Sequence, residues 1–141
     1  RPNSLGPNKR CLMNVCPVIG EQADKRFAFG ASGGRKILGA VAQLSSFVTD
    51  FDMSLEDSFH APRIDASDAN QLIADESLPH DVLDRLREDS TVAETKRTIF
   101  PYAFACPAGV MRANGQNSGC TEIMSPWGDA ISEDMTKDIE A

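Results

Sequence analysis

Phe29-Gly30-Ala31-Ser32-Gly33-Gly34-Arg35-Lys36-Ile37 is the stretch that decides the fold. Arg26-Phe27-Ala28-Phe29-Gly30 alternates like a strand. Gly30 to Gly34 is then a tight glycine turn. From Ile37 the spacing changes. Ile37, Val41, Leu44, Val48 and Phe51 recur at helical intervals, and Leu38 and Phe47 widen the stripe. That is an amphipathic helix facing a core. Its mild polar positions, Gln43, Ser45, Ser46 and Thr49, predict deep burial. Strand, glycine turn and helix in this order can also do chemistry. Glycines admit a ligand close to the backbone, and amides at a helix start hold an anion or a developing oxyanion. Arg35 and Lys36 add charge beside it. The spacing is neither a dinucleotide fingerprint nor a P-loop. By spacing alone, a tight turn with close helix packing is the better reading.

Working outward, Val15 to Ile19 is an apolar run broken by Pro17, suited to a strand start or edge. The polar stretch from Gly20 to Lys25 then turns the chain back into a hairpin. Downstream, Ser54-Leu55-Glu56-Asp57 is a capping-box pattern, with Asp in the Glu/Gln slot. The short helix it opens runs to about His60 and stops before Pro62. Arg63-Ile64-Asp65 and Gln71-Leu72-Ile73-Ala74 read as short strands. Ser77 reads as the cap of a further helix, with Pro79 in its first turn and Val82, Leu83 and Leu86 as its apolar face. Tyr102-Ala103-Phe104-Ala105-Cys106 and Gly109-Val110-Met111-Arg112 read as strands. Asn114-Gly115 is a hairpin signal, and Cys120-Thr121-Glu122-Ile123-Met124 is the expected returning strand. Residues 132–141 have little periodicity and are expected to fray.

The 141 residues suit one domain or a piece of one. Hydrophobic residues make up 41% and charged residues 25%, which excludes a wholly disordered, collagen-like or coiled-coil chain. No apolar stretch approaches the ~20 residues of a membrane-spanning helix. The net charge is -7, from 14 Lys+Arg and 21 Asp+Glu, which argues against nucleic acid as a partner. Basic residues gather at the front (Arg1, Lys9, Arg10, Lys25, Arg26, Arg35, Lys36), where they could meet an anionic ligand. The opening residues 1–8 read as loop and show no basic-then-apolar leader pattern.

Other chemistry is weaker on the page. Cys11, Cys16, Cys106 and Cys120 form no C-x-x-C and have no neighbouring histidine, so zinc is disfavoured and small apolar core residues are the better reading. Cys16 as nucleophile needs a base. His60 suits a helix C-terminus, and His80 an exposed first helical turn. Asp65, Asp68, Asp75 and Glu76 lack calcium-loop spacing and read as a solvated loop.

Four segments, in order, carry a resemblance. They are Pro7-Asn8-Lys9-Arg10, Cys16-Pro17-Val18-Ile19, Phe29-Gly30-Ala31-Ser32-Gly33-Gly34-Arg35-Lys36-Ile37 and Ala61-Pro62-Arg63. With the helix between the last two, the chain resembles the C-terminal part of the small subunit of gamma-glutamyltransferases (glutathione hydrolases), across residues 2–129. The resemblance implies an α+β chain, part of an N-terminal-nucleophile hydrolase fold (an αββα sandwich), with antiparallel sheet and packed helices. It implies residues 1–141 as one piece of that domain, with residues 1–14 as a loop at the pocket. It implies cleavage of gamma-glutamyl amides such as glutathione through an acyl-threonine, with transfer to water or an acceptor amine. No metal or organic cofactor is implied, and bacterial members are commonly periplasmic or secreted.

Residue by residue, the family's oxyanion glycines fall on Gly33 and Gly34. Its serine pair, which holds the substrate α-carboxylate, falls on Met13 and Asn14. Asn14 can donate from its amide, whereas Met13 can offer only its backbone N–H. The family's Asp-Pro-Arg triplet is read at Ser125-Pro126-Trp127, a second departure. The nucleophilic threonine and the residues gripping the glutamyl amine belong upstream of Arg1. An isolated chain is then expected to be inactive, with its Ile37–Phe51 stripe partly uncovered. A related acylase for non-glutamyl substrates, or a non-catalytic truncated module, are the alternatives.

Overall fold

The computed structural model describes residues 3–98, 102–122 and 125–131. The expected frayed tail and the end of the expected returning strand, Ile123-Met124, lie outside the described residues. Among the described residues, seven strands form two sheets, with three α-helices beside them.

The first sheet is antiparallel, in the order β1 (Val18–Gln22), β2 (Lys25–Ser32), β6 (Cys106–Ala113), β7 (Gln116–Thr121). β1 runs further than expected, so only residues 23 and 24 form the turn. Asn114 and Gly115 both take positive φ, 51° and 77°, and close the β6–β7 hairpin as their sequence predicts. In register, Phe27 faces Met111. Phe27, Phe29 and Met111 are buried on one face of the sheet. The Phe27 and Phe29 rings stack at 5.2 Å.

On that face lies α1 (Ile37–Thr49). Ile37, Val41, Leu44 and Val48 are all buried against Phe27, Phe29 and Met111. Each such side chain stabilises by about 1.5–3 kcal/mol. The inner members of the stripe are therefore covered, while Leu38 and Phe51 are each 67% accessible, Phe51 because the helix ends at Thr49. Exposed apolar residues also sit on the opposite face of the sheet, where Ile19 is 88% and Val110 58% accessible.

α2 (Leu55–His60) starts as read: Ser54 Oγ accepts from the Asp57 N–H at 3.0 Å. Leu55 and Phe59 join the core, and Phe59 meets Phe29 edge-on at 6.3 Å.

The second sheet holds β3 (Ile64–Asp65), β4 (Leu72–Asp75) and β5 (Val92–Thr95). β3 and β4 are antiparallel, but β4 and β5 are parallel. The second sheet is thus mixed, beside the antiparallel first one. A parallel pair needs a crossover, and α3 (His80–Asp89) supplies it. β5 carries no strong alternation and was not expected. Ser77 does not cap α3. Its N–H and Oγ both bond Asp75 Oδ1, and the helix starts after Pro79. Leu83 is the one buried member of the expected apolar face, while Val82 is exposed.

Residues 102–105 are not a strand. Two of their carbonyls are taken by side chains instead of a ladder. Lys36 Nζ bonds Ala103 O at 2.8 Å, and Arg63 Nη2 bonds Ala105 O at 3.3 Å. The returning strand also differs: it starts at Gln116 and ends at Thr121.

Candidate active site

Gly33 and Gly34 sit where β2 gives way to a 3-10 turn, Gly34–Lys36, that runs straight into α1. Both have positive φ, 143° and 62°. Those values favour glycine. A Cβ on Gly33 would lie 2.9 Å from both Cα and Cβ of Ala105, so the turn presses directly on residue 105. A Cβ on Gly34 would meet nothing within 4 Å. Gly34 therefore faces open space. The first amides of a helix have no intrahelical acceptor, so this turn offers N–H groups to an incoming group.

Met13 and Asn14 lie on exposed chain just ahead of β1. The stretch before them is tied locally: the Leu12 N–H donates to Asn3 Oδ1 at 2.6 Å. The hairpin register pairs Val18 with Phe29. Pro17 still lies beside Gly30, with its Cα 4.0 Å from a Cβ placed there. The ladder begins at Val18, and Met13 and Asn14 lead into it at the end of the hairpin from which β2 runs on toward Gly33 and Gly34. The β1–β2 hairpin thus delivers both predicted segments to one end of the sheet. A concavity of about 1510 Å³ lies elsewhere, on the open sheet face beside Ile19, Ala28 and Val110.

Behind the glycine turn lies a buried ionic network that composition and spacing did not reveal. Arg63 and Glu122 are 1% and 0% accessible and form a close ion pair. Arg63 Nη1 also donates to Phe59 O at 3.2 Å. Arg97 Nη1 lies 3.6 Å from Glu122 Oε1, and its Nη2 donates to Asp75 Oδ2 at 3.1 Å and to Ala61 O at 2.6 Å. Asp65 is likewise buried, paired with Lys36 at 2.9 Å. The solvated-loop reading of Asp65 and Asp75 is thus corrected: each accepts from a cation and a nearby serine hydroxyl. The one signal that touched this network was Ala61-Pro62-Arg63. Glu122 and Arg97 stand alone in their segments, and only folding joins them.

Three of the seven front basic residues are spent in ion pairs. Lys25 pairs with Asp52, Arg26 with Glu21 and Lys36 with Asp65. Burial pushes the Cys106 and Cys120 thiols up, with carboxylates adding to it, so neither is a thiolate at neutral pH. Cys16 packs half-buried against the core, while His60 and His80 are exposed on α2 and α3.

Burial raises the Asp75 pKa, but hydrogen bonds from Ser77 and the Arg97 guanidinium outweigh it and hold the carboxyl below 3.8. A depressed carboxyl stabilises the fold above its unfolded pKa and loses that contribution as pH falls through the folded one. Wild type should therefore lose stability below about pH 4 more steeply than Asp75→Asn. Urea midpoints at pH 7, 5, 4 and 3 test this; parallel curves for the two proteins would contradict it.

The fold has close counterparts. Gamma-glutamyltranspeptidase from Pseudomonas nitroreducens, solved with L-DON, superposes with a TM-score of 0.71 at 18% identity, over 93% of this chain and 68% of that one. The Bacillus anthracis transpeptidase CapD superposes with a TM-score of 0.67 at 19% identity, over 88% and 75%. These likenesses define the class as an α+β, N-terminal-nucleophile hydrolase fold.

Sequence relatives take the assignment further. The glutathione hydrolase proenzyme of Bacillus subtilis (strain 168) is 31% identical over 85 residues, 60% of this chain and 14% of its own length. That of Arthroderma benhamiae is 30% identical over 112 residues, 78% and 18%. The profile of the family described as Gamma-glutamyltranspeptidase matches residues 1–125, and the chain belongs to that family. It spans less than a fifth of the length of these curated relatives.

Proposed function

We propose that this chain forms the C-terminal part of the small subunit of an enzyme that cleaves gamma-glutamyl amides such as glutathione. A threonine supplied by sequence upstream attacks the gamma-carbonyl through its hydroxyl oxygen. The tetrahedral oxyanion is held by the Gly33 and Gly34 amides. The amide C–N bond then breaks, and the leaving amine takes the proton lost by the threonine. Water or an acceptor amine attacks the resulting ester, releasing glutamate or a new gamma-glutamyl amide and restoring the threonine.

The observation that carries this is the pair of positive-φ glycines at a helix start, set at the same hairpin end as residues 13 and 14. There the Asn14 side-chain amide and the Met13 N–H donate to the substrate α-carboxylate. The open sheet face around Ile19 and Val110 supports a larger assembly, since an uncovered apolar face of that kind calls for a partner layer.

Met13 favours a second reading, because an exposed apolar side chain replaces a hydroxyl in the carboxylate wall. A neutral acyl group would suit such a wall better. One experiment separates the two. The full-length protein is assayed on a gamma-glutamyl anilide and on a neutral acyl anilide of equal length. Preference for the gamma-glutamyl compound by at least about tenfold in kcat/KM, worth 1.4 kcal/mol, is expected. Equal turnover of both would replace the glutamyl assignment with the acylase.

A further inference from the structure

Lys36 closes the 3-10 turn that Gly34 opens. Its ammonium reaches away from the turn, with 24% of the side chain accessible. It donates to Asp65 Oδ2 at 2.9 Å and to Ala103 O at 2.8 Å. Asp65 is buried at the end of β3 and is also held by Ser67 Oγ at 2.8 Å. Two residues beyond Ala103, Ala105 is the wall against which Gly33 rests. Residues 103–105 belong to no strand, so no ladder fixes that wall. Side chains hold it: Lys36 on the Ala103 carbonyl and Arg63 on the Ala105 carbonyl. Lys36 therefore grips the wall from the same turn that presents the glycine amides.

We propose that Lys36 is a positioning residue for the reaction. By tying the glycine turn to both β3 and the residue 103–105 wall, it fixes where the Gly33 and Gly34 amides point. This rests on the oxyanion assignment made above. Its ammonium is directed at Asp65 and Ala103, so it acts on the oxyanion through the backbone. Donors of this kind act only when they meet the oxyanion within a few tenths of an ångström. A displacement of about 1 Å can cost about a hundredfold in rate. The long methylene stem of Lys36 spans from the turn to Asp65, and Met can fill the same space without the charge.

The test uses Lys36→Met, Lys36→Arg and wild type, all in the full-length protein, with a gamma-glutamyl anilide as substrate. Binding of glutamate and of its gamma-boronate analogue is measured alongside. The boronate forms a tetrahedral adduct and so reports on the oxyanion donors, whereas glutamate reports on the ground-state pocket. Lys36→Met is expected to lower kcat by about 10- to 100-fold with KM within about twofold. Boronate affinity should fall by a similar factor while glutamate affinity holds, and Lys36→Arg should recover most of kcat. If wild type turns over the substrate and Lys36→Met keeps its kcat, the positioning role is overturned and the oxyanion assignment stands. Parallel loss of boronate and glutamate affinity would make Lys36 a structural prop and overturn the proposal. An inactive wild type overturns the functional reading, and this proposal with it. Should Lys36→Met not fold, Asp65→Asn, which weakens the same tether at nearly constant volume, is read by the same criteria.

Discussion

Glu122→Ala is expected to cost about 3–5 kcal/mol of stability, the largest single effect in the chain. Glu122 is fully buried, and its removal leaves Arg63 charged at 1% accessibility with no carboxylate opposite. Arg97 would also lose the nearby charge at 3.6 Å, though it keeps Asp75. The desolvation of Arg63 is already incurred in the fold, and only the neutral carbonyls of Phe59 and Ala105 remain to offset it. Replacing both partners is a different matter. Arg63→Met with Glu122→Leu keeps volume and removes both charges, and should recover most of the loss. Denaturant titration of the single and double variants decides this. A loss below about 1 kcal/mol for Glu122→Ala would mean that water reaches Arg63 freely, as at an exposed pair.

Gly33→Ala should abolish most activity, with kcat down by about 10²–10³-fold. Two costs coincide at this position. Its φ of 143° is one that side chains rarely adopt, and the new Cβ would sit 2.9 Å from the Ala105 backbone. The turn must move away from the wall, taking both amides with it. Overpacking of this kind also destabilises by about 1–3 kcal/mol. Gly34→Ala is the natural comparison. It faces open space, so its penalty is the left-handed backbone alone, about 1–2 kcal/mol. Kinetics of the two variants on a gamma-glutamyl anilide, in the full-length protein, test the ordering. Equal kcat for Gly33→Ala and wild type would remove the glycine turn from the chemistry.

Much of the local architecture was legible because it rests on local physics. The β1–β2 hairpin, α1, the Ser54 cap and the Asn114-Gly115 turn each follow from periodicity, capping or positive φ within a few residues. The family resemblance lay in four short segments whose order is itself sequence. Errors arose where a long-range contact outweighed a local preference. Tyr102 to Ala105 alternates like a strand, yet Lys36 and Arg63 claim two of its carbonyls. Ser77 looks like a cap, yet Asp75 takes its hydroxyl. β5 pairs in parallel only because α3 carries the chain across the sheet.

The candidate site divides along the same line. Gly33 and Gly34 are readable from sequence, since positive φ favours glycine and the spacing to Ile37 marks a helix start. That they rest on Ala105, and that Lys36 ties them to Asp65 and Ala103, could not be read. These partners are 29 to 67 residues from Lys36 along the chain, and no local pattern records such a meeting. Charge itself misleads in this region. From sequence, Asp65, Asp75, Arg97 and Glu122 are ordinary surface residues, because ionised groups are costly to bury. The fold buries them by setting cation against carboxylate. Patterns of a few residues thus determined the elements and the family, while packing between distant elements decided which charges go inside and what holds the glycine turn in place.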